Sequence, residues 1–133
     1  MIEIIEDNAN IYVGGSGLND SGERINYGEG KAIREPAVGK GEFFSMPHAA
    51  LLRLAKHYEA GSRKYSPSNY KKGIPVSRFM DSAMRHMCQY MDGDDGEDHL
   101  AAAAFNILGA MHMELRNPEM VDIPERVGKN VFS

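Results

Sequence analysis

The sequence predicts an all-α fold: a compact bundle of about three core helices with an irregular, Gly-rich N-terminal arm. Three observations predict it. Apolar residues recur at helical spacing in three segments between Ser45 and Arg116. Turn-forming Pro, Gly, Asn and Asp bound each segment, and the chain ahead of them is rich in Gly, Asn, Ser and Asp with little periodicity. At 133 residues and 26% charged, this reads as one domain, large enough to bury a core without disulfides. Its expected divisions are an arm at 1–44 carrying a short strand or hairpin, a helical core at 45–118, and an irregular tail at 119–133.

Residues 1–13 hold a small apolar patch (Ile2, Ile4, Ile5) and then Ile11-Tyr12-Val13, the candidate strand or hairpin. Residues 14–41 read as an extended arm or loop. The first helix is expected over about residues 45–65, with Ser45 as a good cap and Pro47 tolerated in the first turn. Leu51, Leu54, Ala55, Tyr58 and Ser62 make its stripe, with Glu59 beside it. Residues 66–75 form a structured turn around Pro67, Gly73 and Pro75. A second helix spans about residues 76–91. Val76, Met80, Ala83, Met87 and Met91 form its core face, Arg78, Ser82, Arg85 and Gln89 the opposite one, with Asp81 and His86 on the flanks. A tight acidic connection leads to a third helix over about residues 98–116, stopped by Asn117-Pro118.

On a wheel at 100° per residue, His99, Asn106 and Ala110 of the third helix fall within about 20° of one direction. Leu100, Ala104, Phe105, Ile107, Leu108, Met111 and Leu115 fill most of the remaining circumference. A helix apolar nearly all round is buried in a core or an oligomer interface. His99 and Asn106 are therefore a polar seam in a groove of small residues (Ala102, Ala103, Gly109, Ala110). They are either satisfied core polar groups holding helices in register or part of a binding groove.

The turn ahead of that helix carries Asp92, Asp94, Asp95, Glu97 and Asp98. Such oxygen donors suit a hard cation, and they equally suit a helix N-terminus with no metal. Asp81 and Arg85 stand i,i+4 and would pair on a bare surface. His86 reads as a ligand, an acid–base group or a core histidine. Lys64, Lys71 and Lys72 around Tyr65, Asn69 and Tyr70 can grip a phosphate and stack a base, or form a solvated turn with packing tyrosines.

Composition narrows the classes. Net charge is −4 with no basic block, which argues against a nucleic-acid partner but leaves room for a small anion on a local positive spot. No apolar run approaches the roughly 20 residues of a membrane span, so no membrane partner is expected. The N-terminus lacks a signal-peptide pattern, and the lone Cys88 fits a reducing, cytoplasmic compartment. Zinc-ribbon Cys pairs, phosphate-binding Gly-Lys-Ser/Thr loops, His-Asp dipeptides and Ser-nucleophile motifs are absent.

Three strings then carry a resemblance: His57-Tyr-Glu-Ala-Gly-Ser-Arg-Lys-Tyr65, Ser68-Asn-Tyr-Lys-Lys-Gly-Ile-Pro-Val-Ser-Arg-Phe-Met-Asp-Ser-Ala-Met-Arg-His86 and Glu97-Asp-His-Leu-Ala-Ala-Ala-Ala-Phe-Asn106. Together with Gly22-Glu-Arg24, Gly30-Lys31 and Gly39-Lys-Gly41, they resemble a phage-associated dATP/dGTP diphosphohydrolase-like family. Tyr70 and Phe105 stand where that family usually has Trp, and Ser66-Pro67 replaces a Gly-containing turn. The family is similar to MazG-type all-α nucleoside triphosphate pyrophosphohydrolases, which hold magnesium on Glu-x-x-Glu and Glu-x-x-Asp pairs. The helical core here has no Glu-x-x-Glu.

The resemblance implies hydrolysis of dATP or dGTP to monophosphate and pyrophosphate, with magnesium or manganese held by Glu59, Asp81, Glu97 and Asp98. Lys64 and Arg85 would grip phosphates, His86 and His99 would be catalytic, and Tyr65, Asn69, Tyr70 and Asn106 would complete the substrate site. The alternative is a non-catalytic phage protein of the host cytoplasm that sequesters a nucleotide or a nucleotide-derived signal. In either case the partners expected are a small nucleotide and further copies of the chain.

Overall fold

A computed structural model describes residues 20–129. The candidate strand at Ile11-Tyr12-Val13 lies outside the described residues. Contacts within the chain divide it into two units, residues 1–43 and 44–133. In the first, β1 (Ile25–Asn26) and β2 (Ile33–Arg34) pair antiparallel, with Ile25 opposite Arg34 and Asn26 opposite Ile33. Runs of two residues are too short for alternation to reveal, which is why this segment reads as loop in the sequence. Its turn is set by local chemistry: Asn26 Oδ1 accepts the Gly28 N–H at 2.9 Å. Arg24 grips Asp20 through two bonds of 2.9 Å.

The second unit is the predicted all-α core. Its helices are α1 (His48–Lys64), α2 (Val76–Met91) and α3 (His99–Arg116). The first starts later than the sequence suggests, because Pro47, with extended backbone, is itself the cap and its carbonyl accepts from Leu51. Ser45 belongs instead to a 3-10 turn, Phe43–Ser45. At the other boundary Asp98 caps α3, accepting the Ala101 N–H at 3.0 Å.

Helix α3 is the centre of the unit and packs against both α1 and α2. Contacts between residues 79 and 109 and between 86 and 99 show that α2 and α3 run antiparallel. Small residues allow the close approach: Ala83, Ala102 and Ala103 are all buried. The face α2 presents is Val76, Phe79, Ala83 and His86, rotated from the expected methionine stripe; Met87 and Met91 are 40% and 74% exposed. The rotation seats the Phe79 ring, 2% exposed, directly on Gly109. The small-residue groove anticipated on α3 is thus occupied by α2 along this stretch.

The apolar core sits at this end. Val76, Phe79, Ala110 and Met113 form it, and Met120, Val121 and Ile123 of the tail cover it. The tail contributes 3-10 turns at Pro118–Met120 and Pro124–Arg126. Pro75 offers α2 no side-chain cap, and the tail supplies one: Asp122 accepts the Ser77 N–H at 2.8 Å and its hydroxyl. In the turn before α2, Gly73 has φ +121, open to glycine and strained for any residue with a Cβ.

The Phe79–Gly109 contact gives a paired prediction. A Cβ at position 109 would stand 2.4 Å from Phe79 Cε1, whereas one at Gly61 in α1 meets nothing within 4 Å. Gly109→Ala should destabilise the fold by about 1–3 kcal/mol through overpacking. Gly61→Ala should raise stability by up to about 1 kcal/mol through helix propensity. Urea unfolding of both variants checks the opposite signs.

Candidate functional site

A cleft of about 810 Å³ opens over α3, within the range of about 300–1,000 Å³ typical of small-molecule sites. From α1 come Arg53, Lys56, His57 and Lys64; from α2, Ser82, Arg85, His86 and Gln89. Glu97 and Asp98 close one end, and Ala102, Phe105 and Asn106 make the floor. The α1 wall follows from helical geometry: Arg53, Lys56, His57, Ala60, Gly61 and Lys64 recur at i, i+3, i+4, i+7, i+8 and i+11. Four cations thus face two carboxylates, so a positive wall stands in a chain of net charge −4.

Those cations are not equivalent. Arg53 is committed to Asp98 through bonds of 2.6 and 2.7 Å. That guanidinium is the main reason the Asp98 carboxyl is held down to about 2, with the Ala101 N–H also contributing. Arg85 donates to Ser82 Oγ at 3.2 Å, and Lys64 lies 5.2 Å from the centre of the Tyr65 ring. Among the described residues Lys56, Lys64 and Arg85 make no ion pair, which leaves three cations for an anionic ligand. Gln89 Oε1, buried and without a hydrogen-bond donor, lines the same cleft. A buried acceptor of that kind calls for a donor from ligand or water.

Beside the cleft wall lies a histidine pair. His86 Nδ1 and His99 Nδ1 are 2.9 Å apart, and His99 Nε2 is 3.0 Å from Asp94 Oδ2. The Gly96 N–H, first, and His99 hold the Asp94 carboxyl below its usual range, so it accepts and His99 Nε2–H donates. With Nε2–H of His99 given to Asp94, the Nδ1 atoms of His86 and His99 share one hydrogen bond between them. Burial pushes the His86 imidazole below its usual pKa, Glu97 opposes, and His99, Arg85 and His57 add to the lowering. His99 is 2% exposed, whereas Glu97 is open to solvent.

A second cavity, about 290 Å³, adjoins the cleft and shares His57, Gly61, Tyr65 and Phe105 with it. Its wall is aromatic. Tyr58, Tyr70 and Phe105 meet edge to face with ring centres 4.9 to 5.9 Å apart, and His57 lies 5.4 Å from Phe105. The cluster ties α1, the turn at Asn69–Lys72 and α3 together.

Comparison with known proteins adds one finding. The model of the family described as "dATP/dGTP diphosphohydrolase, N-terminal" matches residues 31–123, most of the chain. The chain belongs to that family. No curated protein and no solved structure matches it. The match spans both cavities, so the cleft is built from the family's own segment.

Of the residues singled out in the sequence, the structure gathers Lys64, Tyr65, Arg85, His86, Glu97, Asp98 and Asn106 around the cleft, and Asn69 and Tyr70 around the adjoining cavity. His99 lies behind His86. Asn106, 9% exposed, donates to its own turn at Ala102 O, 2.8 Å away. Glu59 and Asp81 line neither cavity: Glu59 is exposed beside Arg63 at 3.0 Å, and Asp81 is exposed 3.9 Å from Arg78 rather than paired with Arg85.

Glu59 and Asp81 thus do not join Glu97 and Asp98 at the cleft; among the described residues the one group of three or more candidate ligands close enough to share an ion is His86, Glu97 and His99. A set of two imidazoles and one carboxylate does not suit magnesium. Arg53, Lys56, His57 and Gln89 line the cleft without having been singled out from the sequence, and Asp94 was singled out only as one acid of the turn. The basic stripe on α1, at the same period as its apolar stripe, is the signal that could have found three of them.

The aromatic cluster yields a pH prediction. Burial, then the neighbouring Tyr70, pushes the Tyr58 phenol up to about 12. The folded pKa is raised, so this contribution to stability is fully present below about pH 10 and is lost as pH rises towards 12. Thermal unfolding between pH 9 and 12 should show a drop whose steepness is reduced in Tyr58→Phe.

Proposed function

We propose that the domain hydrolyses a purine deoxynucleoside triphosphate, dATP or dGTP, to the monophosphate and pyrophosphate. One observation carries this reading: a cleft with three uncommitted cations adjoins an aromatic cavity, and the two share a wall. A nucleotide needs that combination, with positive charge for its phosphates and a flat apolar surface for its base. Lys56, Lys64 and Arg85 take the triphosphate, Tyr65, Tyr70 and Phe105 take the base, and Asn69 and Asn106 offer polar contacts at its edge. Water attacks the α-phosphorus, the bond to the α,β-bridging oxygen breaks, and pyrophosphate leaves. Fixed cations in a cleft favour the charge that develops on the phosphoryl oxygens. On this reading the water is activated at the cleft wall formed by His86 and Glu97.

Pyrophosphate release from dATP and dGTP in the presence of divalent metal tests the proposal. Arg85→Ala should lower kcat/KM by about 100-fold, in line with the loss of one donor to a developing oxyanion. Arg85→Lys, which keeps the charge without the fork, should retain part of it. No release at high enzyme concentration would sink the proposal, and calorimetric binding of dATP without turnover would point to sequestration instead. Self-association belongs to the same reading, supported by Leu52, Leu100, Ile107, Met111 and Leu115, all 41–58% exposed. Light scattering should give at least twice the mass of one chain.

A further inference from the structure

We infer that His86, His99 and Glu97 form a three-ligand site for a divalent first-row transition-metal ion, with Asp94 orienting His99 from behind. The inference deepens the proposed function, since it gives the cleft its water-activating group, but the metal site itself stands on geometry alone. One ligand atom from each of the three residues lies within 4.8 Å of the other two. His99 Nε2 is engaged by Asp94, so Nδ1 is the atom His99 can offer, and it faces His86 Nδ1 at 2.9 Å. Two nitrogens on one ion at about 2.1 Å stand about 3.0 Å apart at a right angle and about 3.4 Å apart in a tetrahedron. The observed spacing matches adjacent corners of a six-coordinate ion, with the shared proton of the bare protein replaced by the cation.

The surroundings support the same conclusion. Metal-bound histidines typically donate their second N–H to a carboxylate, as His99 does to Asp94. That bond fixes the tautomer before any ion arrives. The burial of His99 keeps its ring from turning away, while Glu97 reaches the ion from the solvent side of the cleft. With both imidazoles neutral the three ligands carry a single negative charge, so a dication bound there stays net positive towards a phosphate. Two nitrogens and one oxygen favour manganese, iron, cobalt, nickel or zinc over magnesium. Three protein ligands leave positions on a six-coordinate ion for water and substrate oxygens.

The test uses the whole chain, stripped by a chelator and titrated calorimetrically with cobalt, zinc and magnesium in the absence of nucleotide. Visible absorption of the cobalt form serves as a second readout. One cobalt or zinc per chain is expected, with magnesium at least about 100-fold weaker. Exposed Glu97→Gln should weaken binding about 10- to 100-fold and change the cobalt spectrum, and Asp94→Asn should weaken it by a similar factor. His86→Ala should abolish the stoichiometric phase, with circular dichroism confirming that each variant is folded. Absence of stoichiometric binding by the unaltered chain would overturn the inference, as would binding that survives both Glu97→Gln and His86→Ala unchanged. Metal binding without dATP hydrolysis would leave the site standing and remove the proposed function. Hydrolysis of dATP with magnesium by a chain that binds neither cobalt nor zinc stoichiometrically would do the reverse.

Discussion

The close contact of α2 with α3 is the constraint on which the rest of this structure depends. Phe79 lies on Gly109 at one end of the pair, and that contact sets the rotation of α2 about its own axis. The same rotation, two turns further along, turns His86 towards His99 instead of towards solvent. Packing and site chemistry are therefore one decision made at two places on one helix. A core methionine face would have placed Met87 inward and left His86 on the flank. The large, flat Phe79 ring wins because the bare backbone at position 109 offers it a full face of contact, and buried ring area is worth more than the same length of flexible thioether.

Much of the fold was legible in the sequence, for a simple reason. Three apolar stripes at helical period, each bounded by Pro or by an acidic Gly turn, leave little freedom in where the helices lie: α2 matches its expected bounds, and α3 begins one residue from them. The cap of α1 was displaced by Pro47, a residue whose position in a first turn or just before it cannot be told from spacing alone. The rotation of α2 was not legible, because Val76 and Ala83 belong equally to a methionine face and to a Phe79 face. Only the partner surface, with Gly109 at the right height, chooses between them.

The site was partly legible. Arg85, His86, Glu97 and His99 stood out because ionisable residues at the mouth of an apolar helix need partners. What the sequence could not supply was the pairing. Asp94 reads as one of five similar acids in a turn, and only the fold shows it bonded to His99. Asp98, the neighbour that looks equally suited to a metal, is instead consumed by capping α3 and binding Arg53. Glu59 and Asp81 show the complementary limit. Each is well placed on a helix wheel, yet each lies outside both cavities, because a wheel gives the direction of a side chain and not what stands opposite it.

The Arg53–Asp98 pair connects these two levels. It joins the first half of α1 to the start of α3, and so fixes the height of the basic stripe on α1 against the histidine pair beside the cap of α3. Helix α1 has no fully buried residue; its hold on α3 comes from half-buried Leu51, Leu54 and Tyr58, and from the rings around Phe105. A helix held that loosely needs a directional contact to set its register, and a bidentate guanidinium–carboxylate fork is more directional than apolar packing. Asp98 is therefore best understood as a positioning residue. It spends its charge on α1, which leaves the neighbouring Glu97 as the carboxylate free to meet whatever the cleft holds.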